Sequence, residues 1–449
     1  MSTLKVNKIR DNSGSTDAIV LDPSGGAVLA GVTTVSTVKV GSGVTISSDG
    51  DVFTTGVTTV STVKVGSGVT ISSDGDVFTT GITTSSSVIV GSGVTITESG
   101  IEASGIGITC ANINGAQIGG RRNLLINGAM RIAQRGTSST SSNYRTVDRW
   151  AVVQSVQNAV TQAQVDVASG TTPYSLGFRK ALKVTNGDQS NGATAGTILY
   201  IRQFLEAQDI AQSGWNYTSS SSFITLSFWI KSSVAQSFHG HLRTRDGTDQ
   251  RYLFQTGALT ANTWTKITKT ISGNSNLQFD TDTTAKAIDK GLDVTIIPYM
   301  GTTYSSSSAT FDQWQAETTD NFAGTDMTTT WFTTNDATFE VTGVQLEVGS
   351  QATAFEHRTY GDELTLCLRY YQSEYFRIRL NGRSSETISE FTHYFKGIMR
   401  TQPTVTTANV YGTLDSVTFG NNNGGACYLD FSNDTNLNFA ATVNADAEL

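Results

Sequence analysis

The chain has 449 residues, a formal net charge of -8 and a pI near 5.1, a length that accommodates about two to four domains. The acidic balance argues against nucleic acid or an anionic membrane as a partner, because both demand a basic footprint, and leaves room for neutral polar ligands such as sugars. Charged residues make up only 15%, Gly is abundant at 44 and Pro scarce at 4, a profile of short strands and tight turns that predicts an all-β protein.

The opening, MSTLKVNKIRDNSG, carries no apolar core of an export signal, and no run of eighteen apolar residues occurs anywhere in the chain, so membrane insertion is not expected. Residues 1–31 are read as an N-terminal docking segment. From Val32 to Gly56 the chain reads VTTVSTVKVGSGVTISSDGDVFTTG, and Val57 to Gly81 repeat all twenty-five letters; a looser copy starts at Ile82. Repetition at a fixed period marks a stacked or fibrous element that supplies length and offers nothing position-specific for catalysis. Within the second copy Val63 and Val65 flank Lys64, Val69 and Ile71 flank Thr70, and Gly66, Gly68 and Asp74-Gly75 punctuate the runs. That is strand alternation with turn chemistry between strands.

Such thin strands bury little in one chain. A single-chain solenoid, at roughly 4.8 Å per coil, makes only a stub, whereas three identical chains wrapped together give a longer shaft. We therefore expect residues 32–105 to form the shaft of a homotrimer, with the solenoid as the alternative, and residues 106–122 to be a transition.

The only aromatic residues before Arg121 are Phe53 and Phe78, and every Trp and Tyr follows residue 140. Residues 123–360 read as a globular β-domain, with alternating runs WAVVQSV, ALKVTN, GTILYIRQF, FITLSFWIKS, SFHGHLRTRDG, WTKITKTISG, LDVTIIPYM and ATFEVTGVQLEVG. Strands of that number and length fit a two-sheet jelly-roll sandwich. Short helices are expected at Leu205 to Gln212 and at Glu363 to Tyr371, the latter capped by Asp362. Residues 361–449 return to strand-like runs (FTHYFKGIMR, PTVTTANVYG, ACYLDFSN) and are read as a small C-terminal β tip domain.

Alternation separates faces. In Phe223 to Lys231, Ile224, Leu226, Phe228 and Ile230 share the apolar face, opposite Thr225, Ser227, Trp229 and Lys231; in Ser237 to Thr244, His239, His241 and Arg243 oppose Phe238, Gly240 and Leu242. An indole platform for a sugar ring, with imidazoles and a guanidinium around its hydroxyls, makes Trp229, His239, His241 and Arg243 the candidate glycan site. The plain alternative is that Trp229 packs under a loop or against the shaft. His239 and His241 as H-x-H lack an identifiable third ligand for a metal. RDGTDQ (Arg245 to Gln250) lacks the spacing of an EF-hand and reads as a turn, with a structural cation as the alternative. Glu340 and Glu347, offset by seven, are expected on opposite faces, and Glu356 beside Arg358 suggests an ion pair. No GxSxG, HExxH or P-loop occurs, so no catalytic residue, metal or cofactor is assigned. The odd cysteines Cys110, Cys367 and Cys427 share no CxxC spacing and read as reduced structural thiols. At the far end, Tyr411, Tyr428 and the loop Asn421, Asn422 and Asn423 are candidate contact points, against an ordinary hairpin turn.

The segment NLLINGAMRIAQRGTS, followed by Tyr144 and VDRW (Val147 to Trp150), then FWIKSS, WTKITKTISG and VTGVQLEVGSQATAFEHRTYGDELTLCLRYYQ (Val341 to Gln372), resembles a family of tailed-phage fibre and adhesin proteins. LKVNKIRDNSG and MRTQPTVT are similar to segments in structural proteins of phages that infect aquatic bacteria, the cyanobacterial type. The resemblance covers about residues 123 to 406 as an ordered series of motifs. It implies a jelly roll similar to carbohydrate-binding modules and a protein of the virion, usually trimeric. Such a protein is made in the host cytoplasm, docks to tail, baseplate or adaptor proteins through its N-terminus and touches host surface polysaccharide. It hands over no catalytic residues. The expectation is a receptor-binding tail fibre that is not an enzyme; the alternatives are a structural virion protein such as a head fibre or baseplate component, and a polysaccharide depolymerase.

Overall fold

In a computed structural model the chain divides into two units, Met1–Gly107 and Ile108–Leu449. The described residues are nine short strands before residue 104, then 122–189, 192–279, 290–379, 389–412, 416–418, 425–431 and 438–448. The second repeat copy, the transition before Arg122, Cys110 and Asn421 to Asn423 lie outside them.

In the first repeat copy Val38–Val40, Val44–Ile46 and Val52–Thr54 pair in sequence order as an antiparallel sheet, and Ser87–Val90, Val94–Thr97 and Gly100–Ala103 do the same in the third. Lys8–Arg10, Asp17–Leu21 and Ala27–Leu29 form another such sheet. Val38–Val40, Val44–Ile46 and Val94–Thr97 carry the period-two alternation of the repeats.

In the second unit two six-stranded antiparallel sheets face each other. One orders Ser138–Ser139, Thr161–Asp166, Lys180–Thr185, Thr338–Val348, Phe223–Ser232 and Thr265–Ser272; the other orders Ala151–Ser155, Ile198–Glu206, Lys290–Met300, Ser237–Thr244, Gln250–Ala258 and Trp314–Ala316. All eight runs expected of the sandwich are strands. Ser138–Ser139, Thr161–Asp166, Gln250–Ala258 and Trp314–Ala316 were not anticipated, Thr161–Asp166 because polar Gln162 and Gln164 break its apolar signal. Ile224, Leu226, Phe228 and Ile230 meet Phe238, Leu242, Val294 and Ile296 across the layer. Each fully buried side chain of this kind contributes about 1.5–3 kcal/mol.

The strand Thr338–Val348 departs from plain alternation. Phe339 and Val341 point into the core, but so do Val344 and Leu346, because Gly343 (φ +63°) sits in a bulge opposite Phe228. The extra residue resets the phase, so Glu340 and Glu347 share the outer face, contrary to the offset-of-seven expectation. A Cβ on Gly343 would lie 2.6 Å from the Phe178 ring, which leaves glycine as the residue that fits.

Helices form at Ala207–Ala211 and Tyr360–Leu368. Thr359, not Asp362, caps the second: its Oγ1 accepts from the Asp362 backbone N–H at 3.2 Å and donates to the Asp362 carboxylate at 2.7 Å. The helix stops at Leu368, and Tyr371 already opens a strand, Tyr371–Arg379.

The terminal β-domain is two three-stranded sheets, Tyr371–Arg379 with Asn438–Asp446 and Thr404–Tyr411, and Ser389–Tyr394 with Ala426–Phe431 and Ser416–Thr418. They close over Cys427, Leu429, Phe431, Phe439 and Val443. Cys367 and Cys427 are buried free thiols, and burial pushes Cys427 up to about 11.

Buried ionic contacts lock this domain to the sandwich. Glu206 accepts from Arg369 Nε and Nη2, each at 2.8 Å, and from the Tyr370 hydroxyl at 2.6 Å. Burial alone would raise the Glu206 carboxyl, but Arg369 and Tyr370 bring it below its ordinary value. Arg149 lies 3.4 Å from the Tyr370 ring centroid and pairs with Glu448. The NLLINGAM and VDRW segments knit the same junction: Asn127 Nδ2 donates to the Ile132 and Asp148 carbonyls, and Trp150 Nε1 to the Asn127 carbonyl.

Candidate functional site

Trp229 stands half-buried on the outer face of its sheet, paired across the strands with Lys266 on one side and Thr342 on the other. Phe178 and Phe355 meet edge to face at 4.9 Å between centroids, and His357 lies 5.1 Å from Phe178 and 4.9 Å from Phe355. His357 Nε2 is 2.8 Å from the Leu176 carbonyl, which fixes the ring. These walls and Trp229 enclose a cleft of about 210 Å3, with Ser227, Lys266 and Thr353 at its polar margin. Pockets for drug-sized ligands run to about 300–1,000 Å3, so this cleft suits a single ring. Lys266 is exposed and forms no ion pair among the described residues. An apolar floor beside hydroxyls and one ammonium matches a sugar ring, whose C–H face stacks while its hydroxyls bond at the edge.

His239, His241 and Arg243 do not join Trp229. They lie on the other sheet of the sandwich, and a loop over residues 301–328 seals them. His239 Nδ1 accepts from the Gly324 N–H at 3.3 Å, its Nε2 lies 3.3 Å from Asp326, and Phe311 meets its ring at 5.1 Å. His241 Nδ1 is 3.2 Å from the Phe322 carbonyl and its Nε2 3.5 Å from Asp293. Burial brings His241 down to about 4. Burial alone would raise Asp293, yet His241 and Arg245 hold it well below the usual carboxylate range. Arg243 pairs with Asp249 at 2.6 Å and with Glu317. Arg251, fully buried beneath the loop, pairs with Glu317 at 2.9 Å and is brought down to about 10 by burial. Alternation placed these side chains on one face, and the ion pairs and imidazoles then tie down a loop that keeps a glycan away from them.

The RDGTDQ segment is a turn: Asp246 Oδ1 accepts from the Gly247 N–H at 3.0 Å, and Gly247 has φ +65°. Among the described residues no cluster of three His, Cys, Asp or Glu is placed to hold a metal. Glu356 pairs with Arg358 at 2.9 Å. In the terminal domain Tyr411 is exposed and Tyr428 half-buried, on different sheets; Asn421 to Asn423 lie outside the described residues. Phe178, Phe355 and His357 were missed as site residues because they come from loops. The one available signal was AFEH in the segment that resembles the fibre family.

No protein-family model matches the chain, and no curated protein matches it. Among solved structures, the enzymatically active domain of tailspike protein 4 of bacteriophage CBA120 overlaps at 10% identity and TM-score 0.26, over 50% of this chain and 21% of that one. A sugar-binding protein from Bacteroides thetaiotaomicron overlaps at 10% identity and TM-score 0.26, over 50% of this chain and 99% of that one. A family 11 carbohydrate-binding module of a Clostridium thermocellum cellulase gives 13% identity and TM-score 0.23, over 49% and 98%. Similarity at that level does not say what this chain binds.

Proposed function

We propose that the chain is a virion fibre that binds host surface glycan through the Trp229 cleft. The carrying observation is the half-buried Trp229 in a ring-sized aromatic cleft with Ser227, Thr353 and the unpaired Lys266 at its edge. Those groups fit a neutral or weakly acidic sugar unit. The repeats, with strands too thin to bury themselves, support a homotrimeric shaft over residues 32–105, and residues 1–31 dock to the tail, baseplate or an adaptor of the virion. Three sites per fibre raise avidity without new contacts.

Hydrolysis of the held polysaccharide is disfavoured by spacing. Glu340 and Glu347 share the outer face, yet seven residues at roughly 3.3 Å each put about 20 Å between their backbones, against roughly 5–9.5 Å between the carboxyls of glycosidase pairs. Glu340 also pairs with Lys231 at 3.0 Å, and Glu347 accepts from Thr353 at 2.6 Å.

The test is binding of wild type and Trp229→Ala to a glycan array and to host cells. Loss of the stacking platform costs about 1–3 kcal/mol on isolated sugar, and more on cells, where the sites act together. A folded Trp229→Ala protein that binds neutral glycans like wild type contradicts the site. A wild type that binds no host cell leaves the structural virion protein, and reducing ends released from host polysaccharide mean a depolymerase. Sedimentation as a monomer at micromolar concentration contradicts the trimer.

A further inference from the structure

A second cavity lies where the sandwich meets the terminal domain. One wall is the Ser138–Ser139 edge with Ser141 and Arg145; the other is the outer face of the Tyr371–Arg379, Asn438–Asp446 and Thr404–Tyr411 sheet. The groove between them measures about 750 Å3, enough for several sugar units where the Trp229 cleft holds one ring.

Its walls are fixed. Arg135 lies 3.6 Å from the Tyr371 ring centroid and pairs with Asp446 at 3.1 Å and Glu448 at 3.4 Å, tying sandwich to sheet across the base. A groove held in place before binding loses less free energy to ordering. Because Arg135 covers the Tyr371 ring, this site offers no stacking platform and must recognise its ligand through polar groups.

Those groups are free. The hydroxyls of Thr404 and Thr406 make no hydrogen bond to the described residues, and both side chains are exposed. Asn444 Oδ1 accepts from the Tyr371 hydroxyl at 3.1 Å and from Ser373 Oγ at 2.8 Å, which leaves its Nδ2 as a donor. The charges decide the ligand's sign. Asp446 and Glu448 are paired with arginines, whereas exposed Arg145 bonds only through Nε to the Ser142 carbonyl at 3.2 Å and has no ion pair among the described residues. Arg135 and Arg149 are shared among Asp148, Asp446 and Glu448, so among the described residues Arg145 is the one lining charge that is left for an anionic group of the ligand.

We infer that this groove binds an acidic oligosaccharide of several units, its hydroxyls on Thr404, Thr406 and Asn444 and a carboxylate or sulfate on Arg145. The site is independent of the Trp229 cleft.

The experiment titrates the full chain with a galacturonic acid hexamer, a sulfated galactose oligosaccharide and neutral cellohexaose. It is run on wild type, Arg145→Ala, Thr406→Trp and Trp229→Ala, with near-ultraviolet dichroism to check folding. The expected result is that one acidic probe binds wild type and Trp229→Ala alike and weakens on added salt. Arg145→Ala then weakens it by about tenfold or more, and Thr406→Trp, which fills the groove, abolishes it. The uronate and sulfate arms separate the two anion sources. The inference is overturned if neither acidic probe binds, if Arg145→Ala and Thr406→Trp bind as wild type does, or if Trp229→Ala alone removes the binding.

Discussion

The two outer faces of the sandwich carry similar sequence patterns and end up in opposite states. Both show polar residues alternating with core residues, TxSxWxK on Phe223–Ser232 and HxHxR on Ser237–Thr244. On the first face the bulge at Gly343 and the rings of Phe178 and Phe355 frame an opening beside Trp229. On the second, Phe311, Phe322, Glu317 and Asp326 come down from the 301–328 loop and consume every polar group that alternation had exposed. Alternation assigns a side chain to a face; a distant loop decides whether that face meets solvent.

If the sealed face is structural, breaking it should cost stability and spare binding. Asp293→Ala has the largest expected effect, because it leaves Arg245 and His241 without their buried carboxylate: about 3–5 kcal/mol in denaturant unfolding. A cost near zero would mean that the loop is not held by this network.

Acid should open the same face. His241 is held near 4, below its ordinary 6.5, so the unfolded chain binds the extra proton between those values. Its contribution is therefore full above pH 6.5 and is lost as pH falls toward 4, by ~3 kcal/mol. Asp148 works the other way: burial raises it from 3.8 to about 6, so its ionisation lowers stability as pH rises through that window. Melting from pH 7 to pH 4 should show His241→Gln losing less stability than wild type. Equal losses would contradict the assignment.

On the open face the smaller perturbation is Gly343→Ala. It forces a side chain onto φ +63° and against Phe178, for about 1–3 kcal/mol. Because Phe178 is a wall of the cleft, glycan affinity should drop as well, whereas Asp293→Ala should leave the affinity of the folded fraction unchanged.

Much of this fold is legible in the sequence. Long runs such as FITLSFWIKS and LDVTIIPYM declare strand and core together, and the shift in aromatic content marks where a thick core becomes affordable. Other features were hidden for identifiable reasons. Gly343 is one glycine among 44, and only its partners across the sheet reveal the bulge that brings Glu347 round to the side of Glu340. Of the four residues proposed for one glycan site, Trp229 borders a cleft while His239, His241 and Arg243 lie under a loop on the other sheet. Nothing local in HxHxR distinguishes a ligand from a staple. The groove at Arg145 was also missed, since its walls come from residues more than two hundred apart in sequence.

The most direct test of glycan recognition on the open face uses fluorine NMR of protein labelled with fluorotryptophan. The chain has six tryptophans, and Trp229→Phe assigns the signal of interest. On titration with a neutral glycan that binds the chain, the Trp229 signal should shift in a saturable way while those of buried Trp150 and Trp331 stay fixed. A Trp229 signal that does not move at saturation, with binding intact, would contradict the account.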